Sequence, residues 1–217
     1  MKNKKSTILL IFVFAAGLSL LLYPTFSNEW NKRHASQTVA HYVEDVKNLN
    51  AETYDEMLKE AEDYNASLLT HETDYVLSDE QKEIYESKLN LNDTGIMGYL
   101  EIAAIGVSLP IYHGTEENVL QVAVGHMAWS SLPVGGESTH CVLSGHRGLP
   151  SARLFTDLDK LTEGDTFVLH VLDEACTYED DEYWELAERN AFHHGLCQTG
   201  FFHAGTKSKT TCHHPQH

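Results

Sequence analysis

Between Ile96 and Leu172 the chain is cut into short β-forming stretches, and no other feature limits its fold as tightly. Ile96-Met-Gly-Tyr-Leu-Glu-Ile102, Val107-Ser-Leu-Pro-Ile-Tyr112, Val119–Val124, His140–Leu143 and Thr166–Leu172 are rich in β-branched, aromatic and aliphatic residues. Gly, Pro and Asn separate them, as in Asn92-Asp93-Thr94-Gly95 and Lys160-Leu-Thr-Glu-Gly-Asp165. Short strands at close intervals with turn residues between them predict a small barrel or sandwich, a mostly-β domain spanning 95–174.

The segments before this domain read differently. Lys2, Lys4 and Lys5 precede an apolar run from Thr7 to Tyr23 that Pro24 closes. A positive flank before an apolar stretch marks an exported chain, and about 17–20 apolar residues suffice to span a bilayer. No small-x-small cleavage site follows, so an uncleaved anchor over 1–24 fits better than a removed signal. Lysines retained on the cytoplasmic side put the remainder outside the cell, in a single-pass arrangement. From 27 to 69 the pattern is helical. Val39, Tyr42, Val43 and Val46 recur at spacings of three and four, as do Tyr54, Met57, Leu58, Ala61 and Tyr64. Two helices meeting near Leu49-Asn50-Ala51 are predicted, their many carboxylates forming a solvated face. A polar connector over 70–94 holds a short helical piece around Glu80–Leu89.

The formal charge of −17 argues against a nucleic-acid partner, because phosphate binding needs a basic face. The candidate chemistry lies in Cys141-Val-Leu-Ser-Gly-His-Arg-Gly-Leu-Pro150. His146 stands where a strand yields to a turn, and Gly145 and Gly148 are expected to let the backbone bend and give the imidazole room. Histidine titrates closest to neutrality and suits acid–base work. His113 and His126 read as packed or solvated histidines, and Cys141 as a small apolar filler of its strand.

These motifs, in order, resemble a known family. Tyr99-Leu-Glu-Ile102, Leu109-Pro-Ile-Tyr-His-Gly-Thr115, Val124-Gly-His126, Ser130-Ser-Leu-Pro-Val-Gly-Gly-Glu137 and Leu143-Ser-Gly-His-Arg-Gly-Leu-Pro150 follow one another as in sortases. Leu154-Phe-Thr-Asp-Leu-Asp-Lys160 and His170-Val-Leu-Asp-Glu174 are similar to class C sortases, the pilin-polymerising transpeptidases of Gram-positive bacteria. The resemblance implies a sortase-type β-barrel behind two N-terminal helices and a membrane anchor. It implies thiol acyl transfer: a cysteine cleaves the Thr–Gly bond of a Leu-Pro-x-Thr-Gly-like sorting signal, and a pilin lysine amine resolves the thioester. Pilins or surface proteins bearing such signals are the implied partners, and no cofactor or metal is implied. His146 matches the catalytic histidine, proton donor to the leaving amine and acceptor from the incoming nucleophile.

The tail, 175–217, departs from the family. The family's nucleophile ends a strand reading Thr-Leu-x-Thr-Cys, followed by a strand with an oxyanion-stabilising arginine. Here Ser208-Lys-Thr-Thr-Cys212 keeps only the ending, and the last arginine is Arg189, upstream and in no matching motif. Arg147 adjoins His146, but neighbouring strand residues face opposite ways. Three readings of Cys212 stand open: acyl-thioester nucleophile, degenerate copy, or chance cysteine of an unrelated tail. Asp74-Tyr75-Val76 lacks the proline of the family's plug triplet. The tail's His193, His194, Cys197, His203, Cys212, His213, His214 and His217 are zinc-type ligands, but their spacing fits no zinc signature. A frameshift or truncation near Ala175 accounts best for the loss of strand pattern, and leaves the barrel without an evident closing strand. The expected function is a membrane-anchored cysteine transpeptidase impaired by that loss. The alternatives are a non-catalytic remnant that binds sorting signals or partner proteins, and a metal-binding module built on the tail.

Overall fold

A computed structural model describes residues 2–69, 76–136, 138–162, 164–179, 199–205 and 211–213. Two long helices lead. Helix α1 (Lys2–Lys47) runs through Pro24 as one element, so the proline that closes the apolar run does not end the helix. A mid-helix proline removes one hydrogen bond and costs about 3 kcal/mol. Beyond it, however, α1 is fastened to the barrel. Asn31 Nδ2 donates to the Ser151 carbonyl at 2.9 Å, Asn28 Oδ1 accepts from Arg153 N at 2.9 Å, and Ala35, Tyr42 and Val46 are buried on the same side. The Tyr42 hydroxyl donates to the Met97 carbonyl (3.1 Å) and accepts from Leu172 N (2.7 Å). Burial pushes the Tyr42 phenol well above its ordinary range, so it serves as a neutral linker.

Helix α2 (Ala51–Leu68) starts at Asn50, whose Oδ1 accepts from Thr53 N at 2.9 Å, as an N-cap should. Its buried residues are Ala61 and Asn65. Asn65 is satisfied on both sides: Nδ2 donates to the Leu132 carbonyl (3.0 Å) and Oδ1 accepts from Leu132 N (2.7 Å). Helix α3 (Asp79–Ser87) opens on a Ser78–Gln81 capping box and buries Tyr85.

The strands are β1 (Ile96–Ile102), β2 (Val107–His113), β3 (Val124–His126), β4 (His140–His146), β5 (Thr166–Val171), β6 (Glu174–Glu179), β7 (Thr199–Gly205) and β8 (Thr211–His213). They form one sheet in the order β7-β4-β3-β2-β1-β5-β6-β8. All pairs are antiparallel except β2–β3. The parallel step is made by a crossover through α4 (Glu117–Leu120). The expected strand over Val119–Val124 is therefore corrected: only its last residue joins β3, because a helical turn carries the chain across and buries Leu120 beneath it. In β5, polar Thr166 is exposed while Phe167, Leu169 and Val171 are buried, the period-2 alternation of a half-buried strand. They meet Met97, Leu100, Ile102, Ile111, Leu143 and Phe155 in one core.

Strand structure also continues past Glu174, where the sequence reading saw no strand. Leu172 takes a left-handed φ of 53°, so a tight turn without glycine returns the chain along β5. In β6, Cys176 and Tyr178 are buried, and the Tyr178 ring stacks on Phe167 with centroids 5.0 Å apart. The edge of β5 is thereby covered rather than left open.

Gly125 lies where β3 passes under the β2–α4 turn. A Cβ there would collide with the Gly114 carbonyl oxygen and lie 3.2 Å from Thr115 Cα, both backbone atoms. Gly125→Ala is expected to cost about 1–3 kcal/mol, as overpacking does. A urea titration monitored by circular dichroism reads this, and an unchanged midpoint would refute it.

Candidate active site around His146

His146 is the last residue of β4 and is 8% exposed. Gly145 does not bend the chain, as the sequence suggested, but lies inside the strand. A Cβ at Gly145 would sit 2.8 Å from Phe155 Cδ2, so the glycine is there to let the Phe155 ring pack flat against the backbone. Phe155 N in turn donates to the His146 carbonyl at 3.1 Å. The bend belongs to Gly148, whose φ is +70° and whose N–H donates to Thr156 Oγ1 at 2.9 Å. The histidine backbone is thus held from below by an aromatic ring and from the side by a loop that folds back on itself.

The Glu117 carboxylate lies beside the imidazole, with Oε1 3.7 Å from His146 Nε2. Sequence reasoning missed Glu117, because only the β2–β3 crossover brings α4 to the end of β4. The adjacent Glu116 accepts from Lys82 Nζ of α3 at 3.4 Å, tying that helix to the same corner. Arg147 turns away, with Nη2 3.7 Å from Asp159 Oδ1.

The register decides what faces His146. Strand β7 pairs with β4 so that Thr199 lies opposite His146 and Gly200 opposite Gly145. No cysteine occurs in Thr199-Gly-Phe-Phe-His-Ala-Gly205. Cys212 lies on β8, separated from β4 by β3, β2, β1, β5 and β6 in the hydrogen-bonded order. There it is set directly across from Cys176, itself disulfide-bonded. The two sequence candidates, His146 and Cys212, are not on neighbouring strands. Arg189, His193, His194, Cys197, Asp74 and Tyr75 lie outside the described residues.

The other singled-out groups are structural. His126 is fully buried: the Tyr85 hydroxyl donates to Nδ1 (2.9 Å), and Nε2 donates to the Ser131 carbonyl (2.9 Å). Burial pulls its pKa down to about 4, so it is neutral at physiological pH. His113 bridges two carbonyls, Gly95 at 3.0 Å from Nδ1 and Lys88 at 2.7 Å from Nε2, and packs edge-on against Tyr85. Burial pushes the Cys141 thiol far up, which leaves it un-ionised and inert. A cavity of about 230 Å³ between α1 and the barrel is lined by Asn28, Lys32, Val107, Arg153 and Leu154, and His146 is not part of it.

A Sortase domain model matches residues 100–214, more than half of the chain. The chain belongs to the sortase family. Among solved structures, this sortase is 42% identical to sortase C1 of Streptococcus agalactiae, with a TM-score of 0.65, covering 67% of this chain and 76% of that one. Sortase C of Clostridium perfringens with the C-terminal cell wall sorting motif is 39% identical, with a TM-score of 0.58 and coverage of 68% and 76%. Sortase C of Streptococcus pneumoniae is 37% identical, with a TM-score of 0.57 and coverage of 67% and 74%. These neighbours are class C sortases. Comparison with functionally curated proteins gives no match.

Proposed function

We propose that this sortase sits in the cell membrane with its barrel outside the cell, binds Leu-Pro-x-Thr-Gly-like signals of pilins or surface proteins, and carries out transpeptidation in impaired form. The single observation behind this reading is the β4–β7 register, which pairs His146 with Thr199 in a strand that has no cysteine. His146 retains the equipment of a proton donor and acceptor: a fixed backbone, a buried ring and the Glu117 carboxylate beside it. In thiol acyl transfer the thiolate attacks the Thr carbonyl, the amide nitrogen leaves with a proton from the imidazolium, and the incoming amine returns a proton to the ring. Cys212 is the proposed nucleophile by its Thr-Cys ending, and its pairing across from Cys176 on the far side of the sheet underlies the impairment. Helix α1, long and apolar enough to cross a membrane, supports the anchored placement.

A second reading, recognition of sorting signals without turnover, is favoured by the same register and separated by assay. Detergent-solubilised full-length chain is incubated with a fluorogenic Leu-Pro-x-Thr-Gly peptide, and cleavage and peptide anisotropy are recorded together. Loss of an oxyanion donor alone costs about 10²–10³-fold in rate. Cleavage is expected to fall below that of the Clostridium perfringens enzyme by at least that factor, with residual turnover abolished in His146→Ala. Turnover equal to that enzyme's would overturn the proposed impairment. Binding with no His146-dependent turnover at all would establish the second reading.

A further inference from the structure

Beyond the apolar run, α1 has two unlike sides. Asn28, Asn31 and Ala35 face the barrel and are bonded to it or buried. Tyr23, Phe26 and Trp30 recur at spacings of three and four, which puts them in one stripe on another side of the helix. They are 55%, 71% and 65% exposed, and the Trp30 ring leans on His34 with centroids 4.5 Å apart, which extends the stripe by another turn. Large aromatic groups left in water on one helix face form an unusual surface, since such patches mark interaction sites. The stripe is continuous with the bilayer-length apolar segment that ends at Tyr23.

We propose that the stripe Tyr23-Phe26-Trp30 docks in the lipid headgroup layer of the membrane that holds α1, with the barrel carried on the other side of the helix just above that layer. This rests on the reading that the segment ending at Tyr23 is a membrane anchor. Tyr and Trp favour the interface because their rings are apolar and their polar edges stay wet. Trp30 lies about 10 Å along the helix from Tyr23. The headgroup layer is only about 5–8 Å thick on each side. The apolar run Thr7–Tyr23 is about 25 Å long, a few Å short of the roughly 30 Å hydrocarbon core, so a spanning helix sets Tyr23 at the outer edge of the core and Trp30 within the headgroup layer. The two asparagine contacts to Ser151 and Arg153, on the same turns of the helix, then fix how the barrel stands above that layer.

The test uses the full chain in vesicles made with lipid brominated near the headgroup end of its acyl chains. Flotation of the vesicles reports anchoring, and tryptophan emission reports the stripe. The floated chain is expected to show quenching by the shallow bromines and protection from aqueous iodide, both lost in Trp30→Phe. Flotation with identical quenching in the parent and Trp30→Phe would overturn the inference and leave the anchor standing. A chain that does not float would overturn the anchor, and the inference with it.

Discussion

Phe155→Ala is expected to lower stability by about 3–5 kcal/mol, the range for emptying a fully buried aromatic site. The ring is 0% exposed and packs against the Gly145 backbone at the distance that forbids a Cβ there. Its removal leaves a void directly beneath the strand that ends at His146, and the neighbours cannot collapse into it without moving β4. The effect has two readouts. The urea midpoint should drop by a large fraction of the total stability of a domain this size. In addition, the amide of Phe155, which bonds the His146 carbonyl, should lose hydrogen-exchange protection more than amides of β1 or β5. Gly145→Ala attacks the same contact from the other side, and should weaken the protein in combination with Phe155→Ala by less than the sum of the two, since neighbours sharing a contact are not additive. A Phe155→Ala variant as stable as the parent would contradict this account of how His146 is held.

The second large effect is a loss of stability in mild acid, and His126 is its origin. Folded, the ring is neutral with a pKa of about 4, because it is fully buried between Tyr85 and Ser131. Unfolded, it titrates near the ordinary value of about 6.5. A base whose folded pKa is depressed leaves the unfolded chain binding more protons, so stability falls as pH drops through the window from 6.5 to 4. At 1.36 kcal/mol per unit the full effect is about 3 kcal/mol. Below that window the folded protein takes up the proton too, and this contribution stops changing. Urea titrations at successive pH values measure it. The slope should be steepest between those limits and should flatten in His126→Gln, even though that variant is weaker overall. An unaltered slope in His126→Gln would assign the acid sensitivity to other groups. The break should also release α3 early, since Tyr85 reaches the barrel through this histidine and through Gly114 N at 3.1 Å.

How much of this was legible in the sequence follows from the range of each interaction. Local signals read well: the alternation of Thr166–Val171, the Asn50 cap between the first two helices, and the helical periodicity through Tyr42 and Val46 all depend on neighbours a few residues away. The place of His146 at the end of a strand was also legible, because the β-forming residues before it are contiguous. What failed was long-range or unusual. Val119–Val124 has strand composition, but the parallel β2–β3 pairing demands a crossover there, and a helical turn supplies it. Pro24 reads as a stop, yet contacts from Asn28, Asn31 and Tyr42 to the distant barrel keep the helix running. The β5–β6 hairpin was hidden because its turn uses Leu172 at positive φ rather than glycine. Glu117 and Thr199 as neighbours of His146 depend on strand order, which no local pattern encodes.

Strand order also bears the central proposal, that transpeptidation is impaired because Cys212 and His146 are not on neighbouring strands. The most direct measurement is the intact mass of the chain after incubation with a Leu-Pro-x-Thr-Gly peptide and no acceptor amine, conditions under which a working thiolate accumulates as its thioester. The predicted spectrum shows the unmodified mass, with at most a trace adduct, although the peptide binds. A stoichiometric adduct that disappears in Cys212→Ala would contradict the account, because it would require Cys212 to reach His146 across five intervening strands.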